Sequence, residues 1–303
     1  MSWRSLLITK PARLRIDRAS LAISQELEVR VPLEDIAVIV LDHVEITLTH
    51  PVLSACAEYG IVLYSLGPNH HPNGLHLPFL QHSRTTRRLR QQQSLSRPAL
   101  KRLWARIIRR KIENQAACLR LSECESSEYL ESLSRRIRSG DPQNLESYAA
   151  LTYFNSLFGR KFSRKMTDWN NGALNYGYAI LRGAIARYLV AYGFHPSIGI
   201  FHDSERNAFN LADDVIEPFR PLVDLHVFLN SPSGPVQGLL TDDKAKLVSL
   251  LNVDMQMPQG RMSALSSIEW TIQSLTRVYE KSVDPNSLEL PALIGLDAHE
   301  TEI

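Results

Sequence analysis

The hydrophobic pattern of this 303-residue chain changes once, near residue 80, and that change limits the possible folds more than any other feature. Before it, ARLRID (12–17) and ELEVRV (26–31) alternate apolar with polar residues, as half-buried strands do. WRSLLIT, LEVRVPL, DIAVIVL and IVLYSL are short and rich in aliphatic or β-branched residues, which also suits strands. One helix interrupts them: His50-Pro51 opens VLSACAEYG, and Gly60 closes it. GPNHHPNGLHLP (67–78) reads as a hairpin tip leading to a boundary. Beyond it, LKRLWARIIRRKIENQAACLRL places Leu100, Leu103, Trp104, Ile107, Ile108 and Ile112 at helical spacing. Residues 143–158 and 174–192 also read as helices, the second ended by Gly193. Strands followed by helices predict an α+β chain. Residues 1–80 form a small N-terminal β-rich domain, joined to a larger all-helical domain at 81–303. The last residues, DAHETEI, are expected to fray.

Net charge is only +2, but its distribution is uneven. No Asp or Glu occurs from Tyr59 to Ile112, and Arg84 to Lys111 carries eleven Lys or Arg residues. Such a block attracts a polyanion. Arg84, Arg87, Arg88, Arg102, Arg106, Arg109, Arg110 and Lys111 are the expected DNA-binding residues. No stacking motif, C₂H₂ pattern or zipper accompanies them, so contacts to phosphate with weak sequence reading are expected. Cys56, Cys118 and Cys124 form no CxxC pair and read as reduced, partly buried thiols. No apolar run is long enough to span a membrane, and the start lacks the marks of a signal peptide. A cytoplasmic protein without a membrane partner is expected.

The chemistry concentrates between His195 and Asp224. Asp214 and Glu217 are three residues apart, nearly one helical turn, so both can face one side. With His202 they make a group that suits Mg²⁺ or Mn²⁺, ions able to support phosphoryl-transfer chemistry. A plainer reading stands beside each residue. His202 can be bonded to backbone at an element edge, and His195, His226, His70 and His71 are equally available imidazoles. Asp213, Asp214 and Glu217 can be acids decorating a helix start, as can Glu146 in NLESYAALTYFNSLFG. Leu211, Val215, Ile216, Phe219 and Leu222 make the surroundings of the acids apolar, which favours a partner for them. Pro218 is expected to kink or break the helix, and Arg220 to pair with Glu217 or Asp224. Walker A, GxSxG, HExxH and GxGxxG motifs do not occur in the sequence.

Four ordered stretches carry a resemblance: LESYAALTYF, then LNYGYAILRGAI from Leu174, YGFHPSIGIFHD from Tyr192 and FNLADDVIEPFRPLVD from Phe209. VEITLTHPVLSACAEYGIVLYSLG followed by NGLHLP fits at the N-terminal side. With these, the chain resembles the CRISPR-associated integrase and endonuclease of the spacer-acquisition module, most closely its type II members. The resemblance implies that Glu146, His202 and Glu217 are metal ligands for Mg²⁺ or Mn²⁺. Asp214 would be a further ligand or a base behind them, and the role of Asp213 stays open. It implies insertion of captured DNA fragments into a CRISPR array by 3′-hydroxyl transesterification. It also implies a homodimer formed through the β domain, a small ferredoxin-like adaptation protein as partner, and double-stranded DNA as substrate. His202 must be neutral to ligate, so activity is expected to fall at acid pH. The competing readings are a metal-dependent repair nuclease hydrolysing branched DNA, a non-catalytic DNA-binding scaffold, and a helical enzyme for a small phosphorylated substrate.

Overall fold

The computed structural model describes residues 3–79, 82–234, 236 and 238–299. Its N-terminal part runs through β1 (Arg4–Ile8), β2 (Ala12–Asp17), β3 (Ser20–Ser24), β4 (Glu28–Pro32), β5 (Ile36–Leu41), β6 (Ile46–Leu48), α1 (His50–Glu58), β7 (Val62–Leu66) and β8 (Pro72–His76). One sheet has the order β1-β5-β7-β8, with β1, β5 and β7 parallel and β8 returning antiparallel. The other has the order β4-β3-β2-β6, antiparallel except where β6 pairs with β2.

Strand β5 explains why IAVIVL is a continuous apolar run. Its first five residues are fully buried because both faces of the sheet are covered. Val38, Val40, Val62 and Tyr64 pack toward the helices, while Ile36, Ile39, Ile61 and Leu63 pack toward the second sheet and α1. Strands β3, β6 and β8 are additions to the expected set. β6 has only three residues, and β8 contains Pro72 and Gly74, so neither carries a strong strand signal.

The chain continues through α2 (Thr85–Ser94), α3 (Arg97–Leu121), α4 (Ser127–Arg136), α5 (Leu145–Phe158), α6 (Trp169–Ala191), α7 (Asn210–Val215), α8 (Arg220–Leu229), α9 (Thr241–Ser249), β9 (Val253–Met257), β10 (Gly260–Ser263), α10 (Ala264–Tyr279) and β11 (Ala292–Ala298). The α+β class holds, with one addition to the expected helices. β10, β9 and β11 form a small antiparallel sheet beside α10 and α3. Asp297 and Ala298 belong to β11, and His299 donates its backbone N–H to Asn252 (2.8 Å), so this part of DAHETEI is held in place. Residues 300–303 lie outside the described residues, as do 80 and 81 at the expected boundary.

α6 is the central helix and is buried almost all round. Asp168 caps its start by accepting the N–H of Asn171 (2.7 Å), and Gly193 follows its end at φ +79°. The glycines of LNYGYAILRGAI are notches in its surface. A side chain at Gly183 would collide with the Tyr64 ring of β7, and one at Gly177 would lie 2.6 Å from Val223 of α8. The Tyr64 hydroxyl donates to the Ile180 carbonyl (2.6 Å), and Lys244 of α9 pairs with Asp42 just beyond β5 (2.7 Å). These contacts tie the β-rich part to the helices. Among the described residues no helix is long and apolar enough to cross a membrane. The three cysteines are free; Cys56 and Cys118 are buried.

Candidate active site

Two carboxylates meet at one ammonium group. Glu146 leaves the first turn of α5, whose start is fixed by Asp141: its two carboxylate oxygens accept the N–H groups of Leu145 (3.0 Å) and Glu146 (2.9 Å). Glu217 occupies a short 3₁₀ turn, Glu217–Phe219, where Pro218 separates α7 from α8 as its sequence position predicted. Asn114 of α3 donates to the Pro218 carbonyl (2.6 Å) and clamps that turn. Lys111, also on α3, then places Nζ 2.7 Å from Glu146 Oε1 and 2.6 Å from Glu217 Oε2. Arg220 completes the pairing expected for it, with Nε 2.9 Å from Glu217 Oε1. Burial alone would raise the Glu217 pKa, but the charges of Arg220 and Lys111 outweigh it and hold it at about 2. Burial likewise opposes the Lys111 charge, and Glu217 and Glu146 overcome it, so its pKa is raised.

His202 forms the neighbouring wall. Its Nδ1 lies 2.7 Å from Asp214 Oδ1, and its ring stands edge-on to Trp104, with centroids 5.8 Å apart. Asp214 is fully buried on α7. Its oxygens also accept the backbone N–H groups of Ile200, Phe201 (3.1 Å) and His202 (3.1 Å). Asp214 therefore folds the loop carrying His202 and fixes the imidazole tautomer, leaving Nε2 for a ligand. The loop can pass this close only because residue 199 is glycine. A Cβ there would collide with the His202 carbonyl oxygen and lie 2.8 Å from Asp214 Oδ2. The hydrogen bond to Asp214 raises the His202 pKa above 6.5 against the effect of burial, and the Glu217 charge adds to the rise. The other candidate imidazoles stand elsewhere: His70 beside Asp42, His195 on Ser197, and His226 buried in α8.

Among the described residues no three His, Cys, Asp or Glu side chains close around a common point, and Lys111 lies between Glu146 and Glu217. The donor types nevertheless suit a divalent ion. Glu217 Oε2 and Glu146 Oε1 both face the Lys111 ammonium group, and among the described residues His202 Nε2 has no hydrogen-bond partner. Two carboxylates and a neutral imidazole suit Mg²⁺ or Mn²⁺.

A cleft of about 330 Å³ runs past His202, Tyr178, Asp213 and Arg220, and it is rimmed by Arg164 and Arg182. Asp213 holds Arg182 there, Oδ2 to NH2 at 2.7 Å. Arg164 also lines the adjoining cavity of about 210 Å³ beside Lys111 and Glu217. Three guanidinium groups line this cleft, with Arg182 paired to Asp213, Arg220 to Glu217, and Arg164 bonded to Asn171 and Asn175. The charge count missed Arg164 and Arg182, although Arg182 lies inside LNYGYAILRGAI.

The basic block divides. Arg88 is buried and paired with Glu280, Arg106 donates to the Leu288 carbonyl, Arg109 to the Ile137 carbonyl, and Arg110 pairs with Glu113. Lys111 faces the carboxylates. Arg102 is partly exposed, 4.0 Å from Asp284. Arg84 and Arg87 stand exposed, as do Arg90, Arg97 and Lys101. α3 is wrapped by α4, α5, α8 and β11, so most of its basic side chains find internal partners. Charge reversal at Arg84, Arg87 and Arg90 together is expected to weaken DNA binding and flatten its salt dependence, by about one unit of log–log slope for each phosphate that is no longer neutralised. Fluorescence anisotropy across a salt series checks this. An unchanged slope would make the block a solvated face.

The profile of the family described as CRISPR associated protein Cas1 matches residues 6–234. The CRISPR-associated endonuclease Cas1 of Neisseria meningitidis serogroup C is 40% identical over 306 residues, covering 100% of both chains. Among solved structures, a casposase bound to integration product superposes with a TM-score of 0.74 at 18% identity, covering 95% of this chain and 94% of the other. A Cas6-RT-Cas1–Cas2 complex superposes with a TM-score of 0.71 at 16% identity, covering 94% of this chain and 36% of the other. At these identities the superpositions speak for the fold.

Proposed function

This chain belongs to the CRISPR associated protein Cas1 family, and from that premise we propose that it inserts captured DNA fragments into a CRISPR array by transesterification. What supports this reading is the meeting of Glu146 and Glu217 at the Lys111 ammonium group, with His202 bonded to Asp214 on the neighbouring helix. In the reaction the 3′-hydroxyl of the incoming strand attacks a backbone phosphodiester. One P–O bond forms as another breaks, the hydroxyl proton is lost, and the leaving 3′-oxygen takes one up. The number of phosphodiesters is conserved, so no ATP is consumed. Glu146, His202 and Glu217 would hold Mg²⁺ or Mn²⁺, which when bound polarises a phosphoryl oxygen and stabilises charge on the attacking or leaving oxygen. Arg164, Arg182 and Arg220 would hold the phosphates in the cleft. Exposed Arg84, Arg87 and their neighbours would grip the flanking duplex.

The assembly we propose is a homodimer formed through the N-terminal β domain, residues 1–80. It would bind a small ferredoxin-like adaptation protein and double-stranded DNA in the cytoplasm, as in type II systems. Support for the dimer surface comes from strand β4, which lies at a sheet edge and exposes Val29, with Leu27 exposed just before it.

A branched DNA substrate tests the chemistry, assayed with Mn²⁺, Mg²⁺ or chelator and with or without the small partner. Joined product with metal and none in chelator is expected. Hydrolysis without joining would favour a repair nuclease, and binding without chemistry a scaffold. Because Asp214 raises the His202 pKa, more of the imidazole is protonated near neutrality than for an ordinary histidine. Activity and Mn²⁺ affinity should therefore fall together as pH drops. A flat profile from pH 8 to 5.5 would remove His202 from the ligand set.

A further inference from the structure

Lys111 has a place that DNA binding does not explain. Its side chain is 12% exposed, and its Nζ touches both Glu146 and Glu217. On the far side of Glu217, Arg220 takes the other carboxylate oxygen. Gln115, Ala150, Phe154, Arg164, Tyr178 and Asp224 line the cavity of about 210 Å³ beside the ammonium group.

We propose that Lys111 is a built-in occupant of the cation position, so that a divalent ion binds Glu146 and Glu217 only as the ammonium group withdraws. This rests on the assignment of the two glutamates as metal ligands. A buried and a half-buried carboxylate facing one point repel each other unless a positive charge lies between them. Lys111 supplies that charge while no ion is bound, so the glutamates stay ionised and aligned. It cannot remain in contact with both once a divalent ion shares their oxygens, because like charges at that separation repel strongly. Lysine suits the exchange better than arginine. Its ammonium is a single point charge on a flexible four-carbon stem, without the planar fork that would lock onto both carboxylates. The adjoining cavity gives the displaced group somewhere to go. The site is thus pre-shaped for metal, but at reduced affinity.

The test compares Mn²⁺ binding to the full-length wild type, Lys111→Met and Glu217→Gln, by electron paramagnetic resonance of free Mn²⁺. Lys111→Met keeps the length and removes the competing charge, so it should bind Mn²⁺ at least about tenfold more tightly than wild type. Its melting temperature should rise with Mn²⁺ by more than that of wild type, because the ion replaces the missing charge. Equal or weaker binding by Lys111→Met overturns the proposal. If Glu217→Gln still loses Mn²⁺, the ligand assignment survives that failure. Should neither wild type nor Lys111→Met bind Mn²⁺, the ligand assignment fails and this proposal with it.

A second measurement needs no variant. Amine acylation of the wild type, read by mass spectrometry, should find Lys111 protected in chelator and reactive in saturating Mn²⁺. Equal protection in both conditions also overturns the proposal.

Discussion

Glu217→Gln is expected to reduce strand transfer to background while DNA binding persists. Losing an outer partner of a metal ligand costs about 10–100-fold in affinity or activity. Losing the charge of the ligand itself costs more. The variant also leaves Lys111 and Arg220 facing a neutral amide in a buried site, where Glu217 is only 5% exposed. Removing one partner of a buried ion pair costs about 3–5 kcal/mol, and the glutamine, which keeps the shape and one acceptor, should fall at the lower end. The stability loss has a predictable pH dependence. The folded Glu217 pKa is about 2, below its ordinary 4.5, so its contribution is present above 4.5 and disappears as pH falls toward 2. Denaturation midpoints of wild type and variant should therefore differ at pH 7 and converge in acid. Normal strand transfer by a folded Glu217→Gln protein would end the metal-ligand assignment.

Much of the scaffold was legible because it depends on local rules. The apolar stripe of α3, the proline break before α8 and the glycine after α6 are properties of neighbouring residues, and each stands where sequence spacing placed it. The strands of the third sheet were not read, although VDMQM alternates buried and half-buried residues, because five residues between helices carry little signal. The pairing of distant residues was less accessible. Nothing in the spacing says that Lys111 meets Glu146 and Glu217, since those contacts depend on how α3, α5 and the Glu217 turn pack together. The charge count therefore assigned Lys111, Arg106 and Arg109 of α3 to a DNA-facing surface. A linear count cannot see that α3 is enclosed by other helices. Selecting His202 over four other imidazoles likewise needed its loop to fold back onto Asp214, a contact made possible by Gly199.

Asp214→Ala should show the second-largest effect, by a different route. Asp214 accepts three backbone N–H groups and bonds His202 Nδ1 without any exposure to solvent. Each buried donor left without a partner costs about 1–3 kcal/mol, so alanine should loosen the loop from Ile200 to His202 and weaken the whole domain. Asp214→Asn is the more informative change. It keeps the volume but presents an amide N–H₂ to at least one backbone N–H, and it removes the negative charge behind the imidazole. Activity should fall about 10–100-fold, as for other outer partners of a ligating histidine. The acid limb of the pH profile should also shift downward, because the hydrogen bond that raises the His202 pKa is the interaction being removed. A change that merely destabilised the fold would lower activity at every pH without moving that limb. A limb that stays in place in a folded Asp214→Asn protein would therefore mean that His202 is positioned by its loop alone, and that the buried carboxylate serves the backbone.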